Sequence, residues 1–95
     1  MPGPTPFIDR TAGDHLESVI DEHGYTAEGL EGAIRLHAKA NGWLKPGGIG
    51  SVSADTIRAA IRGHVPSPRK RLALALFLGF DQREMWQPRN RKVAA

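Results

Sequence analysis

Residues 52–63 read Val-Ser-Ala-Asp-Thr-Ile-Arg-Ala-Ala-Ile-Arg-Gly, and this stretch decides the fold. Ser53 is a residue type that caps helices, and Gly63 is a type that ends them. The apolar residues between them recur at helical spacing, which predicts a short amphipathic helix from Ser53 to about Arg62. The side chains expected to face inward are Ile57, Ala60 and Ile61. Those expected outside are Ala54, Asp55, Arg58, Ala59 and Arg62.

Two helices are predicted before this one. The first covers about residues 12–23, and the second runs from a Thr26 cap to the Asn-Gly pair at 41–42. Gly29 and Gly32 weaken the second helix, and we expect them to permit close approach of another backbone. The inner stripe of the second helix is expected to comprise Leu30, Ala33, Ile34, His37 and Ala38.

Two helices are also predicted after it. Ser67 caps the fourth helix with Pro68 at its first position, and Gly79 ends it. The Leu-Ala alternation inside this segment is compatible with a strand, but strong helix formers and good caps favour a helix. Asp81 opens a short fifth helix that reaches Trp86. The expected stripe of the fourth helix is Leu72, Ala75 and Leu76, widened by Leu74 and Leu78.

The chain of 95 residues is long enough for one domain, and the fold class predicted is all-α, a compact domain of five helices. Proline-rich residues 1–8 are expected to form a flexible arm, residues 9–87 the domain, and residues 88–95 a basic tail. Residues 42–52, rich in glycine, are expected to form a loop or small hairpin. Trp43 on that loop is expected to pack over the core rather than to touch a ligand.

The composition excludes several classes of protein. With no cysteine there is neither a disulfide framework nor a Cys-ligated metal site. The nine-residue apolar stretch 72–80 is too short to span a membrane, and the N-terminus lacks the pattern of a signal peptide. We therefore expect a cytoplasmic protein without a membrane partner.

The charge is distributed unevenly along the chain. Residues 1–34 carry a net charge of −6, whereas residues 35–95 carry +9. Such a split indicates that the second half meets an anion, and nucleic acid is the first candidate. The alternative is that the two halves complement each other within the fold.

No residue pattern argues for an enzyme, a cofactor or a small-molecule ligand. The four histidines have no metal-ligand spacing. The glycine-rich run 47–51 precedes a helix, but it lacks the Lys-Ser/Thr of a phosphate-binding loop and no strand comes before it. The carboxylates on the first helix form an acidic face, which is usually only solvated.

Two features of the second half favour DNA. The helix from Ser53 begins with small and polar residues and carries Arg58 and Arg62 outward, a shape suited to the major groove. Residues 69–71, Arg-Lys-Arg, lie in the first turn of the fourth helix, where the helix dipole disfavours cations. An approaching phosphate backbone would explain that placement. The alternative is that salt screens most of the unfavourable interaction between these cations and the helix dipole.

From Thr26 onward the chain resembles the lambda-repressor-like helix-turn-helix family, the Cro/CI or XRE type of phage and bacterial regulators. Thr26-Ala27-Glu28-Gly29-Leu30 is similar to the opening of that family's second helix, and Val52-Ser53-Ala54-Asp55-Thr56-Ile57 to the opening of its recognition helix. Residues 62–67 are similar to the family's connection into the fourth helix, and residues 75–86 to its closing motif. The resemblance covers about residues 12–87.

The resemblance implies a sequence-specific, double-stranded DNA-binding repressor, of the Cro or immunity-repressor kind, that acts by occupying an operator. The residues expected to contact bases and nearby phosphates are Ser53, Asp55, Thr56, Arg58 and Arg62. Those expected to hold phosphates are Lys45, Arg69, Lys70 and Arg71. Many relatives dimerise, so a homodimer on DNA is one expected state.

Two departures from the family matter. The glutamine that usually follows the second-helix cap is replaced by Ala27, so that DNA contact is not carried over. The connection between the second and third helices is about fifteen residues longer than the family's pattern. Two other functions stay open: an excisionase or architectural DNA-binding factor, and an antitoxin-like module that binds a protein through the acidic first helix.

Overall fold

The computed structural model describes residues 9–86, and five α-helices account for most of them. They are α1 (Arg10–Glu22), α2 (Ala27–Ala40), α3 (Ala54–Ile61), α4 (Pro68–Leu78) and α5 (Gln82–Met85). No β-strand occurs between residues 9 and 86, so the predicted all-α class is confirmed there. The predicted arm (1–8) and basic tail (88–95) lie outside the described residues, as does residue 87.

Side-chain caps determine where most of these helices begin. Thr26 Oγ1 accepts a hydrogen bond from the Gly29 amide at 3.0 Å, which fixes the start of α2 as predicted. A carboxylate oxygen of Asp9 accepts one from the Ala12 amide at 3.0 Å. This cap explains why α1 begins about two residues earlier than its apolar periodicity indicates.

The third helix occupies the middle of the fold. It packs against both α1 and α2, while α4 packs against α2, and α5 contacts α1 and α4. Fully buried branched side chains from four elements and one loop meet here. The largest of them are Leu16, Leu30, Ile34, Val52, Ile57 and Leu74. Packing on two sides leaves α3 with one face that no other helix covers.

Gly13 allows α1 to contact the carboxyl end of α3 backbone to backbone. A Cβ atom at this position would lie 2.4 Å from the Ile61 carbonyl oxygen, far inside van der Waals contact. The Asp9 amide also donates to the Gly63 carbonyl at 2.6 Å. The expectation that Gly29 and Gly32 serve such an approach is wrong, because neither faces another helix's backbone within 4 Å.

Two expectations about which side chains are buried are also wrong. Leu76, expected in the core, is 55% exposed, whereas Ala73, Leu74, Ala75 and Leu78 are buried. Apolar residues surround α4 on all sides, so helical periodicity could not select its inner face. On α3, Ala54 is buried rather than outside. Trp86 lies in the core as expected.

The loop between α2 and α3 is folded against the domain. Trp43 is half-buried against the core, and its ring meets the His37 ring edge-on with centroids 4.8 Å apart. His37 in turn meets Phe77 of α4 at 5.4 Å. The Gly50 amide donates to the Trp43 carbonyl at 2.8 Å. The prediction that Trp43 packs over the core is therefore confirmed.

Across residues 9–86, none of the helices has the length and apolar character that a bilayer crossing requires.

Two glycine substitutions separate packing from helix propensity. We expect Gly13→Ala to lower the free energy of unfolding by about 2 kcal/mol or more, because its methyl group would overlap the α3 backbone. Gly32→Ala has open space around the new methyl group, and it should raise the free energy of unfolding by about 0.5–1 kcal/mol. Urea unfolding of both variants measures the difference. A Gly13→Ala variant as stable as wild type would contradict the close contact between α1 and α3.

Two leucines of α4, one buried and one exposed, give a second test. Leu74→Ala should cost about 2–5 kcal/mol because this side chain is fully buried. Leu76→Ala, at an exposed position of the same helix, should change stability by less than about 0.5 kcal/mol. Thermal melts followed by circular dichroism distinguish them. Equal effects would mean that α4 packs through another face.

Candidate nucleic-acid interface

The polar residues at the start of α3 cap the helix. Ser53 Oγ accepts a hydrogen bond from the Thr56 amide at 3.2 Å and donates one to Thr56 Oγ1 at 3.1 Å. Ser53 and Asp55 are exposed, and Thr56 is half-buried. These three predicted contact residues are thus brought together at the amino end of α3, with both hydroxyls already engaged by the cap.

Arg58 lies between two carboxylates. Its Nη2 donates to Asp55 Oδ1 at 2.6 Å, one turn earlier on α3, and its Nη1 donates to Glu28 Oε2 at the start of α2. Glu28 and Arg58 are thirty residues apart in the sequence. The ion pair therefore joins the amino end of α2 to the exposed face of α3. We call Glu28, Asp55 and Arg58 the arginine clamp.

The clamp changes the acid–base properties of its members. The hydrogen bond from Arg58 lowers the pKa of Glu28, and the positive charge of the guanidinium acts in the same direction. Hydrogen bonds to Asp55 and then to Glu28 raise the pKa of Arg58, which stays charged at all relevant pH values. Glu28 and Arg58 are therefore both ionised at neutral pH.

Arg62 lies apart from the clamp. It is the carboxyl cap of α3, and with Arg10, Asp14 and Ile61 it lines a shallow depression of about 380 Å³ between α1 and the end of α3. Its side chain is exposed. Arg58 and Arg62, predicted as partners on one reading face, thus have different surroundings.

A larger cleft, of about 690 Å³, separates the α2–α3 loop from the amino end of α4. Three of the four predicted phosphate-binding residues line it: Lys45 from the loop, and Arg69 and Lys70 from α4. No acidic side chain is among its lining residues. We call this feature the basic cleft.

Two arginines of α4 hold the surroundings of the basic cleft in place. Arg69 Nη1 donates to the Gly48 carbonyl at 3.1 Å, which ties the loop to α4 across the cleft. Arg71, the fourth predicted residue, is half-buried, and its Nη1 donates to the Pro66 carbonyl at 3.0 Å. Arg71 thus braces the connection between α3 and α4 instead of lining the cleft.

The basic cleft lies close to the amino end of α3. Its wall includes Ser51, which precedes the Ser53 cap by two residues, or at most about 7 Å of chain. The start of α3 therefore lies next to the wall of the cleft.

The charged side chains of the arginine clamp and those of the basic cleft differ in net sign. Around the clamp, a depression of about 240 Å³ is lined by Glu28, Glu31, Asp55 and Arg58 among others, so acids outnumber bases there. In the basic cleft, by contrast, all the charged side chains in the lining are cationic. The local sequence marks Glu28 only as an acid in the first turn of α2, because nothing in the local pattern signals a partner thirty residues away.

Residues 9–86 contain no cluster of three or more His, Asp or Glu side chains arranged to hold a metal ion. Comparison with protein-family models, with curated proteins and with solved structures finds no match for the chain. The chemistry of the described surface is therefore what supports a function.

The arginine clamp can be tested by titration. The Glu28 carboxyl should titrate below the ordinary glutamate range in the wild type, and its pKa should rise in Arg58→Met. Since folding depresses this pKa, the clamp stabilises the fold above the unfolded-state pKa and loses that effect as pH falls through the folded value. Carboxyl-detected NMR gives the values.

The matched control for this titration is Arg35→Met. Arg35 pairs with Glu31 at 2.9 Å on the same helix, so the loss of the Arg35 charge should leave the pKa of Glu28 unchanged. A Glu28 pKa that is identical in the wild type and in Arg58→Met would show that the clamp does not form in solution.

Proposed function

We propose that this chain is a double-stranded DNA-binding regulator of the lambda-repressor-like kind, in which α2 and α3 form an elongated helix-turn-helix. In this proposal α3 enters the major groove, and the protein represses transcription by occupying its operator. The observation that carries the proposal is the basic cleft, free of lining acids, whose wall ends two residues before the Ser53 cap of α3.

The amino end of α4 suits a phosphate group. Ser67 caps the helix without a side-chain hydrogen bond to its first turn, and Pro68 has no amide hydrogen. The first-turn amides and the dipole of α4 attract an anion, and Arg69 and Lys70 add charge to the same place. Lys45 approaches from the opposite wall of the cleft. A DNA backbone lying in the cleft would offset the unfavourable placement of these cations.

The amino end of α3 suits base edges. Its first exposed residues are short, which permits close approach, and an exposed carboxylate such as Asp55 can accept from cytosine N4. Arg58 in the second turn is the long donor of this face, able to reach guanine or a phosphate. Arg71 keeps four of its five N–H donors beyond the bond to Pro66, so a phosphate contact from it stays in the proposal.

The proposal is tested by selecting bound duplexes from random DNA and then titrating affinity against salt. We expect a consensus sequence, and an inverted repeat within it if the protein binds as a dimer. Each phosphate contact contributes roughly 0.9 to the slope of log affinity against log salt, so Lys70→Gln should flatten the slope by about one unit. It should weaken selected and random duplexes by similar factors.

Lys39→Gln is the control, because Lys39 is an exposed lysine at the end of α2 that does not line the cleft. It removes the same charge and should leave the slope nearly unchanged. A Lys70→Gln slope equal to that of Lys39→Gln would remove the cleft from the interface. Absence of any consensus, with no duplex bound at physiological salt, would overturn DNA binding altogether and favour a protein partner.

A further inference from the structure

The arginine clamp places a negative charge where a DNA-binding surface would ordinarily avoid one. Glu28 has its side chain 69% exposed at the start of α2, and Asp55 has its side chain 91% exposed on α3. Both would approach phosphates if α3 entered a groove. An acid in the first turn of a helix is favoured by the dipole, but this explains neither its contact with Arg58 nor the second carboxylate.

The clamp restricts what Arg58 can do. A free arginine on a helix surface samples many rotamers and can grip any phosphate within reach. Here one N–H on each Nη is engaged, by carboxylates on two different helices. Nε–H and one further N–H on each Nη stay available, in a direction set by the two carboxylates. Such a guanidinium is positioned for a bidentate acceptor and hindered from following the backbone.

We propose that Glu28 is a positioning residue that sets the DNA selectivity of Arg58. It holds the guanidinium toward base edges, and its charge opposes the use of Arg58 as a sequence-independent phosphate contact. This inference rests on the proposed DNA-binding function. It assigns to α2 a part in sequence discrimination, with no requirement that α2 itself touch a base.

The experiment compares the affinity of the wild type, Glu28→Ala and Glu28→Gln for the selected duplex and for a scrambled duplex of the same composition. Glu28→Ala leaves Arg58 held by Asp55 alone, so affinity for scrambled DNA should rise at least about threefold and the ratio of selected to scrambled affinity should fall about tenfold or more. Its salt slope on scrambled DNA should steepen by about one unit, since Arg58 gains a phosphate.

Glu28→Gln separates positioning from charge. Glutamine retains a carbonyl oxygen that accepts from Arg58 but carries no charge. Affinity for both duplexes should rise together, and the selected-to-scrambled ratio should stay within about threefold of the wild type. A purely electrostatic role for Glu28 would instead give the same ratio for the alanine and glutamine variants.

Glu31→Ala is the matched control, because it removes an acid from the same helix that pairs with Arg35 and not with Arg58. Its selectivity ratio should equal that of the wild type. A Glu28→Ala ratio equal to the Glu31→Ala ratio, in a wild type that does discriminate, would overturn the inference alone. A wild type that binds neither duplex would overturn the proposed function and this inference with it.

Discussion

The contact between Gly13 and the carboxyl end of α3 is the constraint on which the rest of the structure depends. No side chain larger than hydrogen fits there, because the Ile61 carbonyl lies where a Cβ atom would be. The bond from the Asp9 amide to Gly63 adds a second backbone link at the same place. With α1 fixed on one side and α2 on another, α3 keeps a single exposed face, and its amino end lies beside the basic cleft.

The arrangement of charge follows from this framework. The acidic first third of the chain and the basic remainder do complement each other in part, because Glu28 pairs with Arg58 and Glu31 pairs with Arg35. Most of the cationic side chains that were expected to hold phosphates are not neutralised in this way. Lys45, Arg69 and Lys70 line a cleft without acids, and the bond from Arg69 goes to a carbonyl. Complementarity within the fold therefore describes part of the charge split, and an anion at the cleft stays a prediction.

Local signals predicted the helices well. The Thr26 and Ser53 caps and the Gly63 and Gly79 stops are each determined within a few residues of chain, and the structure has helix ends at these places. Side-chain burial on α4 could not be predicted in this way. Leu76 and Leu74 have the same hydropathy, and the helices packed against α4 decide which of them is buried.

The features that sequence reasoning missed depend on long-range contacts. Gly13 resembles any other helical glycine until α3 is placed beside it. Glu28 resembles an ordinary first-turn acid until Arg58 is brought near from thirty residues away. Three of the four residues expected to hold phosphates do line one cleft, but the coupling between α2 and α3 could be seen only in the tertiary structure.

The central claim is that one surface, formed by the amino end of α3 and the basic cleft, binds double-stranded DNA. The most direct measurement is an NMR titration of the labelled protein with its selected duplex, read at backbone amides and arginine side chains. The account predicts saturable shifts at residues 53–58 and in the cleft, at Lys45 and at residues 67–70, while the exposed acidic side of α1 stays unchanged. Shifts concentrated on α1, or none that saturate, would contradict it.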